Sequence, residues 1–285
     1  MTATTVPSSA ERSERLCGVG SSRKRKEDAR FIQGKGNYVD DIKLPGMLYG
    51  DIVRSPHGHA RIKSINIEKA KALPGVRAIL TANDLKPLKL HYMPTLAGDV
   101  QAVLADEKVL FANQEVVFIV ADDRYIAADA VELVEVEYEP LPAINNPDKA
   151  LAPNAPVLRE DLAGKTEGAH GKRRHHNHIF TWEVGDKDGT EAAFAKAEVT
   201  AKEKIVYQRV HPAPLEPCSC IGSMDKIRGE LTVYGTFQAP HVIRTVLSIL
   251  SGLPESKIHV IAPDIGGGFG GKVGVYPGYV CAIVA

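Results

Sequence analysis

A mixed α/β fold (α+β in overall class), arranged as two successive α/β domains, is what this chain predicts. Three observations carry that reading. The 285 residues leave room for two cores of ordinary size. Apolar residues alternate with polar ones in several short runs, and helical periodicity separates some of those runs. Finally, 25 glycines and 18 prolines punctuate a Val- and Ile-rich sequence, which favours strands and turns over a helical bundle.

Composition excludes several function classes. Lys+Arg and Asp+Glu balance at 35 each, so no net charge steers the chain to nucleic acid or to an anionic membrane. Four cysteines, Cys17, Cys218, Cys220 and Cys281, are too few and too unevenly spread for a disulfide framework. No signal-peptide pattern opens the sequence, and Val116 to Ala121 is far too short to span a bilayer. The expectation is a soluble, cytoplasmic protein.

Residues 1–28 read as a polar arm ending in the charged run Arg23 to Asp28. Residues 29–142 read as the first α/β domain. Strands are expected over Met47–Arg54, Arg61–Ile67, Val76–Leu80, Glu115–Ala121 and Glu135–Glu139, with a long loop over Lys86–Gln101. Glu68–Leu73 predicts a short helix closed by Pro74-Gly75, and Asp122 or Asp123 caps a helix reaching about Leu133. The continuous apolar run of Glu115–Ala121 marks a strand buried on both faces.

Residues 143–178 read as a linker containing His170 and His175-His176-Asn177-His178. Adjacent histidines point in different directions, and no acidic or thiolate partner stands at ligand spacing, so these are expected to be polar loop residues. Cys218 and Cys220 lack a second pair to complete a zinc site and are expected to serve strand packing. Residues 179–285 read as the second domain. Its early elements are a strand with Phe180, Trp182 and Val184, a turn over Asp186–Gly189, a short helix over Thr190–Ala195, and a long strand over Val199–Val210.

The chemistry-bearing unit follows. Gly229–Phe237 alternates as a strand with Gln238 at its carboxyl end. Pro240 starts a helix to about residue 251 that buries Val242, Ile243, Val246, Leu247 and Leu250, and Gly252 with Pro254 ends it. Lys257–Ile261 is the next strand, and Gly266-Gly267-Gly268-Phe269-Gly270-Gly271-Lys272 comes directly after. A strand–helix–strand unit makes the two strands parallel, so Gln238 and the glycine loop should open on the same sheet edge, where such sheets bind ligands. The glycine spacing also fits a phosphate loop, but Val273 stands where Ser or Thr must hold magnesium. A dinucleotide fingerprint fits as well, yet it needs a helix next and an acid about 20 residues on. Backbone amides cradling another phosphate-bearing cofactor, or a loop serving only close backbone crossing, remain as further readings.

Strand-Gln238, helix, strand and the glycine cluster together resemble the molybdenum-binding large subunits of the xanthine dehydrogenase and aldehyde oxidase family. Arg54–Ile62 and the stretch from Asp123-Arg124-Tyr125 to Glu139–Pro142 resemble the same family. Gln33–Asp41, His91–Asp99, Ala169–Gly171 and His175–His178 resemble its copper–molybdenum branch, which oxidises carbon monoxide. The resemblance runs from about residue 20 to the end. It implies a hammerhead-type α/β domain followed by the start of a domain for molybdopterin cytosine dinucleotide. It further implies that Gln238 sits beside the molybdenum oxo ligand as a hydrogen-bond donor, that Gly268, Phe269 and Gly270 contact the cofactor, and that no side chain here ligates metal. FAD and [2Fe-2S] would reside on a flavin-binding medium subunit and an iron–sulfur small subunit, in a dimer of heterotrimers, a heterohexamer. Attachment at the inner membrane face is a secondary expectation.

Val280–Ala285 is an apolar run without cap or turn and reads as an element that continues. The resemblance places the copper-holding cysteine loop and a glutamate near molybdenum beyond residue 285, so the 285 residues are expected to be an inactive amino-terminal portion. Competing readings are an aldehyde or N-heterocycle hydroxylase of the same family, a nicotinamide-dependent dehydrogenase, and a non-catalytic assembly module.

Overall fold

The computed structural model describes residues 19, 24–95, 99–160, 167–168, 171–172, 176–179, 181 and 183–285. The first half contains β1 (Tyr49–Arg54), β2 (Ala60–Asn66), α1 (Glu68–Ala72), β3 (Val76–Leu80), β4 (Lys108–Val109), β5 (Glu115–Ala121), α2 (Arg124–Glu132) and β6 (Glu135–Pro140). Two antiparallel three-stranded sheets result, in the orders β1-β5-β3 and β4-β2-β6. All seven residues of β5 are buried, as a continuous apolar run at the centre of a covered sheet requires. Asp123 caps α2 by accepting from the N–H groups of Tyr125 and Ile126 at 2.8 and 2.9 Å. Such a cap stabilises a helix by about 1 kcal/mol. The expected long loop 86–101 instead holds a small hairpin, Tyr92–Pro94 against Val100–Ala102; three residues are too short a run for alternation to register.

The second half contains α3 (Lys187–Lys196), β7 (Cys220–Asp225), β8 (Glu230–Gly235), α4 (Pro240–Ser251), β9 (Ile258–Ile261) and α5 (Pro277–Val284). β7 runs antiparallel to β8, and β8 pairs in parallel with β9, register Leu231 to Ile258. α4 connects the parallel pair, begins with Pro240 in its first turn and ends at Gly252, whose φ of +72° is the left-handed cap that glycine adopts without penalty. Ile243 and Leu247 of α4 are buried, whereas Val242, expected inside, lies at the exposed edge of the helix.

Further expectations are corrected. Val199–Val210 forms no strand; its backbone pairs with nothing among the described residues, and Val199, Tyr207 and Val210 are exposed. Alternation makes a segment suited to a sheet, but a strand exists only where a ladder partner satisfies its N–H and C=O groups. Asp186–Gly189 is not a free turn but the start of α3, because the Asp186 carboxylate accepts from Gly189 N–H at 2.9 Å and caps the helix. Phe180 and Trp182 of the other expected strand lie outside the described residues, and Val184 is in no strand.

One core serves both halves. Phe118 and Val120 of β5 belong to the same buried cluster as Leu231, Val233, Phe237, Ile243, Leu247, Tyr279 and Val280. The Phe237 and Tyr279 rings meet edge to face at 5.4 Å. A second cluster, between β5, β2 and the inner faces of α1 and α2, belongs to the first half alone. The β8–α4–β9 unit is thus seated on the first half.

Candidate cofactor site

Parallel pairing of β8 and β9 brings their carboxyl ends to one edge, and there Gln238 meets the glycine loop. Gln238 N–H donates to the Lys272 carbonyl at 2.9 Å. Its side-chain Oε1 accepts from Gly270 N–H at 3.0 Å and from Lys272 N–H at 3.1 Å. Two backbone donors on one atom require an oxygen there, so the chain itself decides which way the amide faces. The Nε2 group of this exposed residue meets no acceptor among the described residues and is left as the available donor.

The loop lies so close to Gln238 that a Cβ at position 268 would stand 2.4 Å from the glutamine Cδ. Any larger residue there must push the Gln238 side chain out of its hydrogen bonds to Gly270 and Lys272. Phe269 adopts φ +50° and the residue is 75 % exposed. A bulky residue held in the left-handed region with its ring in solvent marks a loop shaped for something other than its own stability. Among the described residues, no acceptor meets the N–H groups of Gly267, Gly268 or Phe269. Successive backbone N–H groups left without a protein acceptor are donors that an anionic or carbonyl-bearing ligand can use.

Three braces hold the loop. The Glu216 carboxylate accepts from Gly266 N–H at 2.7 Å and from the buried Lys272 ammonium at 3.4 Å. The Tyr276 hydroxyl donates to the Gly271 carbonyl. Just upstream, Asp264 makes a two-pronged ion pair with Arg30 and accepts from Asn37 N–H at 2.7 Å. Arg30 first, and then the Asn37 amide, lower the Asp264 carboxyl to about 2.

The expected residues Gln238, Gly268, Phe269 and Gly270 therefore converge. Sequence reasoning missed Glu216, Tyr276 and the Arg30–Asp264 pair. Glu216 was visible only as a lone carboxylate between Leu215 and Pro217, with no spacing to tie it to a loop 50 residues later. Among the described residues, no group of three or more His, Cys, Asp or Glu is placed to hold a metal ion. His178 Nε2 lies 3.1 Å from Thr181 Oγ1, and His175 is outside the described residues. Of the cysteines, Cys218 is exposed and so does not serve strand packing as expected, because it precedes β7. Burial pushes the Cys220 and Cys281 thiols up to about 12.

After Lys272 no helix begins until Pro277. Both the phosphate-loop and the dinucleotide readings require the glycine loop to open directly onto a helix amino terminus, so neither fits. A molybdenum–pterin group does fit these residues: the free loop amides suit an anionic or carbonyl-rich ligand, and the Gln238 Nε2 group suits an oxygen acceptor.

The sequence profile of the aldehyde oxidase and xanthine dehydrogenase a/b hammerhead domain matches residues 33–142, and that of the molybdopterin cofactor-binding domain matches 170–285. The chain belongs to the aldehyde oxidase and xanthine dehydrogenase family. Within it, the chain is 73% identical over 282 residues to the carbon monoxide dehydrogenase large chain of Afipia carboxidovorans, covering 99% of this chain and 35% of the relative. Its counterpart from Hydrogenophaga pseudoflava is 68% identical over 270 residues, covering 95% of this chain and 34% of the relative. A crystal structure of Cu,Mo-CO dehydrogenase in its carbon monoxide reduced state superposes with a TM-score of 0.85 at 74% identity, over 95% of this chain and 34% of that one. The chain thus spans about a third of the length of these relatives. Among the described residues, no helix is long and apolar enough to cross a membrane.

Proposed function

We propose that the whole protein oxidises carbon monoxide with water, CO + H2O giving CO2, two protons and two electrons. The observation that carries the reading is 73% identity across 99% of the chain to a carbon monoxide dehydrogenase large chain. A bound molybdopterin cytosine dinucleotide, with molybdenum and with copper held beyond residue 285, supplies the redox and oxygen-transfer chemistry.

This chain's residues orient. Gln238, its oxygen held by Gly270 and Lys272, would offer Nε2 as a fixed hydrogen-bond donor to the bound cofactor. A donor preset in this way needs no reorganisation to act. The backbone of Gly268, Phe269 and Gly270 would contact the pterin moiety, with the Gly270 N–H engaged by Gln238 and the neighbouring amides turned to the ligand. Residues 29–142 form the hammerhead-type domain and 179–285 the first part of the cofactor domain; the expected arm over 1–28 lies largely, and the expected linker over 143–178 partly, outside the described residues. FAD and [2Fe-2S] subunits take up the electrons in a cytoplasmic dimer of heterotrimers.

Metal analysis of the purified full-length complex tests the proposal. Molybdenum and copper in equal amounts are expected. Absence of molybdenum overturns it, and molybdenum without copper redirects it to an aldehyde or N-heterocycle hydroxylase.

A further inference from the structure

We infer that Glu216 and Lys272 form a positioning pair for Gln238, a role that rests on the cofactor-site reading proposed above. Lys272 is almost wholly buried, and its ammonium meets one carboxylate oxygen of Glu216 at 3.4 Å. The same oxygen accepts from Gly266 N–H at 2.7 Å, and Glu216 N–H donates to the Gly266 carbonyl at 3.3 Å. One carboxylate therefore ties the first glycine of the cluster to the lysine that closes it, and fixes the span of the loop between them.

The main chain of Lys272 is also what holds Gln238. Its N–H donates to Gln238 Oε1 and its carbonyl accepts from Gln238 N–H. Glu216 has no hydrogen bond to Gln238; it acts through Lys272. A buried ammonium has no water to fall back on, so its position follows the carboxylate that compensates it. Moving that carboxylate moves Lys272, and with it the amide that faces the cofactor. The close approach of Gly266 to Glu216, where a Cβ would stand 2.5 Å from the Glu216 Cβ, leaves little slack in this coupling.

Hydrogen exchange of the full-length complex, read amide by amide, separates this role from plain structural support. Glu216→Gln keeps an acceptor for Gly266 but removes the negative charge that compensates the Lys272 ammonium. Gly266 should stay protected, while the Gly270 and Lys272 amides, which bond to Gln238, exchange about 10-fold faster or more. Glu216→Ala should release all three. In the metal-loaded complex, Glu216→Gln should lower kcat about 10-fold to 100-fold with KM nearly unchanged. Unchanged Gly270 and Lys272 amides in Glu216→Gln, an equal rise at Leu231 and Val233 of β8, or a raised KM with kcat intact would each overturn the inference. Wild-type complex lacking molybdenum would remove the proposed function, and the exchange pattern would still decide the pair.

Discussion

Gln238 carries two tasks on one side chain, and substitutions can separate them. Gln238→Glu retains two acceptor oxygens for Gly270 and Lys272 but has no donor to turn outward. It should fold with an unchanged melting temperature and lose about 100-fold to 1,000-fold in kcat, the scale for deleting one preset donor. Gln238→Ala should lose the activity and also loosen the loop, seen as a lower melting temperature. Comparable activity in the Glu variant and the wild type would show that the outward amide is not used. Gly268→Ala offers a different test: its Cβ would overlap the Gln238 side chain at 2.4 Å. Overpacking of this kind costs about 1–3 kcal/mol, and molybdenum content should fall with it.

Among the elements, the segment around Arg30–Asn37 serves as a strap on the residues leading into the glycine loop. Besides the ion pair, Asp264 N–H donates to the Asn37 carbonyl at 3.1 Å, so backbone and side chain both fasten the strap. The carboxyl of Asp264 is lower in the folded protein, about 2, than its ordinary value of 3.8. A depressed carboxyl contributes stability that is fully present above the ordinary value and disappears as pH falls through the folded one. The stability difference between wild type and Asp264→Asn should therefore shrink as pH drops from about 4 to about 2, with wild type losing its advantage. Denaturant midpoints measured across that interval check it; a constant difference would rule out the linkage.

For the molecule as a whole, the shared core is decisive. Phe118 belongs to the first half, yet it packs in the cluster that contains Tyr279 and Val280 of α5. Phe118→Ala should cost about 3–5 kcal/mol, the range for emptying a large aromatic from a core. Exchange should quicken in α5 as well as in β1 and β3. Protection of α5 unaffected by that cavity would mean the two halves are held separately.

Much of this arrangement was legible in the sequence because it depends on neighbours along the chain. The caps at Asp123 and Gly252, the buried strand β5, and the parallel β8–α4–β9 unit all follow from periodicity and local backbone preferences. Parallel pairing alone sufficed to bring Gln238 and the glycine cluster to one edge. Tertiary structure decided the rest. Arg30 and Asp264 stand 234 positions apart, and Glu216 and Lys272 56 apart; no local pattern encodes such pairs. Val199–Val210 has the alternation of a strand and is none, because pairing belongs to two segments and not to one. The orientation of the Gln238 amide was equally beyond the sequence. It is set by which backbone donors the folded loop aims at one oxygen.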